Sequence, residues 1–320
     1  MRYIIENNYL IAEISQLGAT LTRLIHKETN TDIVLGFDND EDYIRYSGTN
    51  IGATIGRNAN RIANGEFTLN GKTYHLSQNN NMNNLHGGGD KGFAFKEWKL
   101  VNKSETEVVL AYYSKDMEEG FPGNLMTEVT YRLSDDSLLF IFKGNSDQDT
   151  IFNITNHSYF NLGDDDIMNQ YLHINTDKYS PTDEYALTLD KVEKVDATPY
   201  DFREFTRIGD NLSRLETGID NNYVWENLED KLMCELKNDK IQLNVYSDLP
   251  DMHVYTAYYL NGEIGKHNKV YRQYGGIALE CQYYPNGINY GDKYLLPILK
   301  KGETATHYIR FEVKGANNGI

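Results

Sequence analysis

The chain has 320 residues, 31 basic against 47 acidic, and a net charge of -16. That length buries a sizeable core without staples, and the charge repels nucleic acid and anionic membrane surfaces, so neither is an expected partner. Cys234 and Cys281 are too few and too far apart for a disulfide framework, no apolar run reaches membrane-spanning length, and residues 1–10 lack a basic head followed by an apolar stretch, so a cytoplasmic protein is expected.

Residues 56–65 read Gly-Arg-Asn-Ala-Asn-Arg-Ile-Ala-Asn-Gly and carry Arg57 and Arg61 with almost no apolar support, the pattern of a loop or distorted turn. An Arg there offers a fork of donors to a ligand oxygen, braces a carboxylate, or ties loops together. Residues 67–69 and 72–74 flank Asn70-Gly71, a strong hairpin signal because both central positions of that turn need positive φ. Residues 85–89, Leu-His-Gly-Gly-Gly, have neither the strand-to-helix context nor the Lys-Ser/Thr pair of a phosphate loop. Their glycines allow close backbone approach while His86 turns a ring nitrogen toward a ligand, or they form a plain flexible turn.

Further along, residues 134–137 join two strand-like runs at 126–133 and 138–143, and residues 237–240 join runs at 232–236 and 241–246. Residues 149–156 read as a strand, with Phe152 and Ile154 on one face and Asn153, Thr155 and His157 on the other. His157 is thus a titratable group on a polar face, either satisfied by its neighbours or available to move a proton near neutral pH. A short helix is expected near 205–215. Residues 276–282, Gly-Ile-Ala-Leu-Glu-Cys-Gln, put Ile277 and Leu279 on one face and Ala278, Glu280 and Gln282 on the other. A carboxylate in that apolar setting is either salt-bridged or catalytic, and as a catalyst it complements His157.

Strand-helix alternation, linkers and internal repeats are missing, so one all-β domain over residues 1–320 is expected, a large antiparallel β-sandwich. The 25 tyrosines suit sheet surfaces and, in part, carbohydrate stacking. The eight histidines are scattered without metal-ligand spacing, and no Gly-x-Ser-x-Gly turn occurs, so no metal and no serine nucleophile is expected.

In order, residues 56–65 with 85–88, residues 155–162 and residues 276–282 resemble the aldose 1-epimerases, also called galactose mutarotases. Residues 218–224, Gly-Ile-Asp-Asn-Asn-Tyr-Val, resemble the family's Gly-x-Asp-His-Asn-aromatic-Val segment with Asn221 in place of His, and Thr-Pro-Tyr-Asp-Phe-Arg at 198–203 also matches. The resemblance implies a β-sandwich of the galactose mutarotase type holding a free hexose in an open cleft, with no metal or organic cofactor; a monomer or homodimer is expected. It implies Glu280 as general base and His157 as general acid, with Asn60, Arg61, His86, Tyr159 and Asp220 on the sugar hydroxyls. Ring opening needs one proton taken from the C1 hydroxyl and one given to the ring oxygen, so Glu280 is expected ionised and His157 protonated, with a raised pKa. Leu249 stands where many relatives carry a sugar-touching Gln, so it and Asn221 are expected to bear on sugar preference. Alternatives are a hexose 6-phosphate 1-epimerase, a sugar-binding module without turnover, and a glycosidase pairing Asp220 with Glu280.

Overall fold

Each of the three turns read from the sequence closes an antiparallel hairpin in the computed structural model, which describes residues 1–316. Asn70 and Gly71 take the positive φ values their turn needs, 51° and 76°, and pair Glu66–Leu69 with Lys72–His75. Leu125–Ser134 pairs with Ser137–Ser146, and Lys231–Lys237 with Ile241–Ser247. The last two belong to a nine-stranded sheet in the order Lys99–Lys103, Glu107–Ser114, Leu125–Ser134, Ser137–Ser146, Thr304–Gly315, Ile241–Ser247, Lys231–Lys237, Tyr171–Ile174, Thr206–Arg207.

A second sheet of six strands carries the chemistry. We label them β1 (Tyr159–Phe160), β2 (Lys178–Ser180), β3 (Glu193–Lys194), β4 (Asp220–Val224), β5 (Asp251–Tyr255) and β6 (Ile277–Gln282); their spatial order is β1-β6-β5-β4-β2-β3. Strand alternation sorts their side chains onto two faces. Phe160, Tyr223, Met252, Val254, Ile277 and Leu279 join the main apolar core together with residues of the nine-stranded sheet, and Phe160 meets Phe311 edge-on at 4.8 Å between ring centroids. The opposite face presents Tyr159, Asp220, His253, Tyr255 and Glu280 to a cleft. The faces read for residues 276–282 are therefore observed. The expected antiparallel sandwich is present.

The helices and one strand differ from the reading. The expected helix is Ile208–Leu212, inside its window, whereas Gly287–Tyr290 was not anticipated, nor was Asp40–Arg45. Its start is legible afterwards: the Asn39 side chain accepts the Asp42 N–H, and three acidic residues fill the first turn. The strand expected through His157 is interrupted. Thr155–Asn156 pairs with Thr54–Ile55, Tyr159–Phe160 pairs with β6, and His157 lies between them, its N–H donating to Ala53 O at 2.9 Å and its carbonyl accepting from Gly52 N–H at 2.8 Å. This crossing between ladders aims the ring at the cleft.

Of the two arginines in residues 56–65, Arg57 ties loops together. Its guanidinium is 1% exposed and donates to the carbonyls of Pro122, Gly123, Lys115 and Ser114 at 2.8–3.1 Å. Burial lowers its pKa to about 10, so it stays charged at neutral pH. Arg57→Met is expected to cost at least about 3 kcal/mol, because several buried carbonyls lose a charged donor at about 1–3 kcal/mol each. Urea unfolding measures this; a loss below about 1 kcal/mol would mean that the loop's other bonds suffice.

Candidate active site

The loop braced by Arg57 delivers Asn60 and Arg61 to the edge of a cleft of about 370 Å³, and that cleft gathers every site residue named from the sequence: Asn60, Arg61, His86, His157, Tyr159, Asp220 and Glu280. Asn60 and His86 hold each other. His86 N–H donates to Asn60 O at 3.1 Å, and Asn60 N–H donates to His86 Nδ1 at 3.2 Å. Gly87 permits this closeness, since a Cβ there would lie 2.3 Å from Gly56 O. The Arg61 Nε–H is steadied by Asn80 Oδ1 at 3.0 Å.

At the cleft floor, His157 Nε2 lies 3.5 Å from Glu280 Oε1. The His157 ring is packed on both sides, edge-on to His86 at 5.2 Å and stacked on Tyr159 at 5.0 Å. The Tyr159 hydroxyl donates to Thr49 O at 3.0 Å, which leaves its oxygen as an acceptor and its ring as a support for His157. Across the sheet, Asp220 Oδ1 sits 2.6 Å from His253 Nε2. Register explains why these groups meet: His253 lies opposite both Glu280 and Asn222, and Asp220 lies opposite Tyr255.

His253 is a cleft residue, paired with Asp220, that reading the sequence missed. Its neighbours Met252 and Val254 point into the core, so the alternation of a fully buried strand was the available signal. Conversely, neither Asn221 nor Leu249 lines the cleft. The Asn221 side chain donates to Ser180 O at 3.1 Å, and Leu249 is 1% exposed within the main core. The side chain after Asp220 must point away from the cleft, because successive strand residues alternate.

The electrostatics correct the expected protonation. Burial depresses the His157 pKa to about 4, with His253 adding to it against the pull of Asp220. Burial, then the negative Asp220, push the Glu280 carboxyl well above its usual range. A charged imidazolium and a carboxylate are both costly out of water. Both directions favour a neutral imidazole beside a neutral acid, with the same total of protons as the expected ion pair but the shared proton on Glu280. Burial would also raise Asp220, but the His253 hydrogen bond and the nearby positive groups bring its pKa below the ordinary value. His86 is held well below its usual range by burial and by His157.

His86, His157 and Glu280 place potential ligand atoms within 4.8 Å of one another, yet the donor set does not suit a metal. Because Asn60 N–H occupies His86 Nδ1, the neutral ring carries its proton on Nε2, which then donates instead of ligating.

A family model described as aldose 1-epimerase matches residues 1–312. The galactose mutarotase of Rattus norvegicus is 34% identical over 322 residues, spanning 97% of this chain and 93% of the rat protein. The aldose 1-epimerase of Escherichia coli (strain K12) is 36% identical over 252 residues, spanning 75% and 72% of the two chains. Among solved structures, the GalM/aldose epimerase homologue from C. elegans superposes with a TM-score of 0.93 at 26% identity, covering 99% of each chain. Galactose 1-epimerase from Lactobacillus acidophilus superposes at 0.86, also at 26% identity, over 98% of this chain and 94% of that one. With the sandwich, the cleft and a relative at this identity over nearly its full length, the chain belongs to the aldose 1-epimerase family.

Proposed function

We propose that this aldose 1-epimerase interconverts the α and β anomers of free hexoses, with Glu280 and His157 moving the two protons and Asn60, Arg61, His86, Tyr159 and Asp220 holding the sugar. The observation that carries the reading is the 3.5 Å approach of His157 Nε2 to Glu280 Oε1 at the buried floor of the polar cleft. When a closed sugar binds, its hydroxyl dipoles favour moving the shared proton from Glu280 to His157. The carboxylate then takes the C1 hydroxyl proton as the imidazolium gives its proton to the ring oxygen, the C1–O5 bond breaks, and an aldehyde forms. The pair is left as neutral acid and neutral imidazole. This is the form that burial favours, so the cleft stabilises the ring-opened state. After rotation of the aldehyde, the same transfers in reverse close the ring on its other face and restore the pair.

Among the described residues, Arg61 is the only Arg or Lys lining the cleft, beside Asp220, Glu263 and Glu280. That balance suits neutral hydroxyls better than a phosphate dianion, which supports free hexoses over hexose 6-phosphates. Asp220, kept ionised and tied to His253, is suited to accept from hydroxyls away from C1. Cytoplasmic residence is part of the proposal; no helix among the described residues is long and apolar enough to cross a membrane. Polarimetry on freshly dissolved α-glucose and α-galactose tests the activity. No acceleration of either at micromolar enzyme would overturn it, and tight sugar binding without turnover would make the protein a binding module.

The protonation scheme has its own signature. The working pair holds one proton, so kcat/KM is expected to fall below about pH 4, where His157 takes a second, to stay level through neutrality, and to fall again in alkali as Glu280 gives its proton up. A rate profile reads only the pair's proton count, so NMR of the His157 ring must locate it. A neutral ring at pH 6 in the free enzyme is expected; a charged one would restore the ion pair.

A further inference from the structure

Behind the sugar site, the cleft face of the six-stranded sheet continues as a row of buried polar side chains that the reaction does not use. Gln282 follows Glu280 on the same face of β6, Asp251 precedes His253 on β5, Asn222 follows Asp220 on β4, and Ser180 ends β2. Register sets Asp251 opposite Gln282 and Ser180 opposite Asn222; side chains so paired stand about 4.5–5.5 Å apart at Cβ. Asn222, Gln282 and Ser180 are completely buried and Asp251 nearly so. Even so, both amide atoms of Gln282 have no hydrogen-bond partner, nor do Glu280 Oε2 and His253 Nδ1 where the row meets the cleft, while the Asn222 side chain lies within reach of the Asp251 carboxyl and Ser180 within reach of the Tyr284 hydroxyl.

Such groups cost about 1–3 kcal/mol each if left unpaired. A cation would satisfy the oxygens but oppose the NH2 groups of Asn222 and Gln282, whereas water donates and accepts. We propose that Ser180, Asn222, Asp251 and Gln282 enclose a chamber of ordered water whose cleft end bonds Glu280 Oε2 and orients that carboxyl toward the sugar, with Asp251 as a positioning residue. The orienting role rests on the assignment of Glu280 above. Burial raises the Asp251 carboxyl to about 8 against the hydrogen bonds offered by the Asn222 side chain and the Trp225 N–H, with Glu226 and Lys231 as smaller opposing charges. His253 and Tyr255 on the same face of β5, Asp220 on β4, Glu280 on β6 and Tyr159 on β1 are other titratable groups on this face. At neutral pH Asp251 is therefore an uncharged donor, and its ionisation in mild alkali reverses the polarity of the water next to it.

High-resolution or neutron crystallography of the free protein should show ordered water bridging Asn222, Gln282 and Glu280; a Gln282 amide paired directly with protein atoms would overturn the chamber. In kinetics, Asp251→Asn should keep the neutral-pH kcat yet lose a wild-type inflection near pH 8, while Asp251→Leu, which cannot hold the water, should lower kcat about 10-fold or more with little change in KM. A leucine variant that folds and retains the wild-type kcat and pH profile would overturn the positioning role. Ordered water in a protein that turns over no aldose would overturn the activity and leave the chamber standing.

Discussion

Glu280→Gln lowers kcat by about 10²- to 10⁴-fold in the expected outcome, with hexose affinity largely kept. Gln has the shape and hydrogen-bonding reach of the carboxylic acid but cannot exchange a proton with the C1 hydroxyl or with His157. Folding should not suffer: burial makes the Glu280 carboxyl neutral in the free protein, so a neutral amide removes no buried charge and leaves none unpaired. Thermal unfolding near the wild-type temperature and retained sugar binding by calorimetry, beside a collapsed polarimetric rate, are the expected set. A variant within about threefold of wild-type kcat would remove Glu280 from the proton path.

His157→Asn is expected to produce a loss of the same order, because the leaving ring oxygen then departs without a proton. The ring also fills space between His86 and Tyr159, so some of the loss is misplacement of those neighbours. The Glu280→Gln/His157→Asn double variant separates the two effects. If the residues act as one proton-exchanging unit, the double variant should be little worse than either single one. Fully multiplicative losses would mean that Glu280 and His157 act in independent steps.

The difference between expected and observed protonation has a single physical origin. From sequence, Glu280 is expected as an ionised base and His157 as a protonated acid with a raised pKa, because opposite charges favour one another. In the fold, His157 is 5% exposed and Glu280 1%, and at that burial the cost of desolvating two charges exceeds their attraction across 3.5 Å. How deeply each residue is buried depends on how the 52–62 loop, the 85–92 segment and the six-stranded sheet close over one another, and no local pattern encodes that.

Much else was local and therefore legible. Asn70-Gly71 specifies its turn because few residues tolerate positive φ at both positions, and the alternation of residues 277–282 assigns Glu280 to a face because a strand has only two. Those two kinds of signal, turn chemistry and period-two alternation, determined the antiparallel sandwich and the polar face of β6. Short-range patterns could not carry His157 across the break between its two ladders, bring His253 beside Asp220, turn Leu249 into the core, or distinguish Arg57, sealed under four carbonyls, from Arg61, open to the cleft. Those were decided by contacts between residues tens to hundreds of positions apart, and only the closed tertiary structure sets the register, the burial and hence the charge of each group.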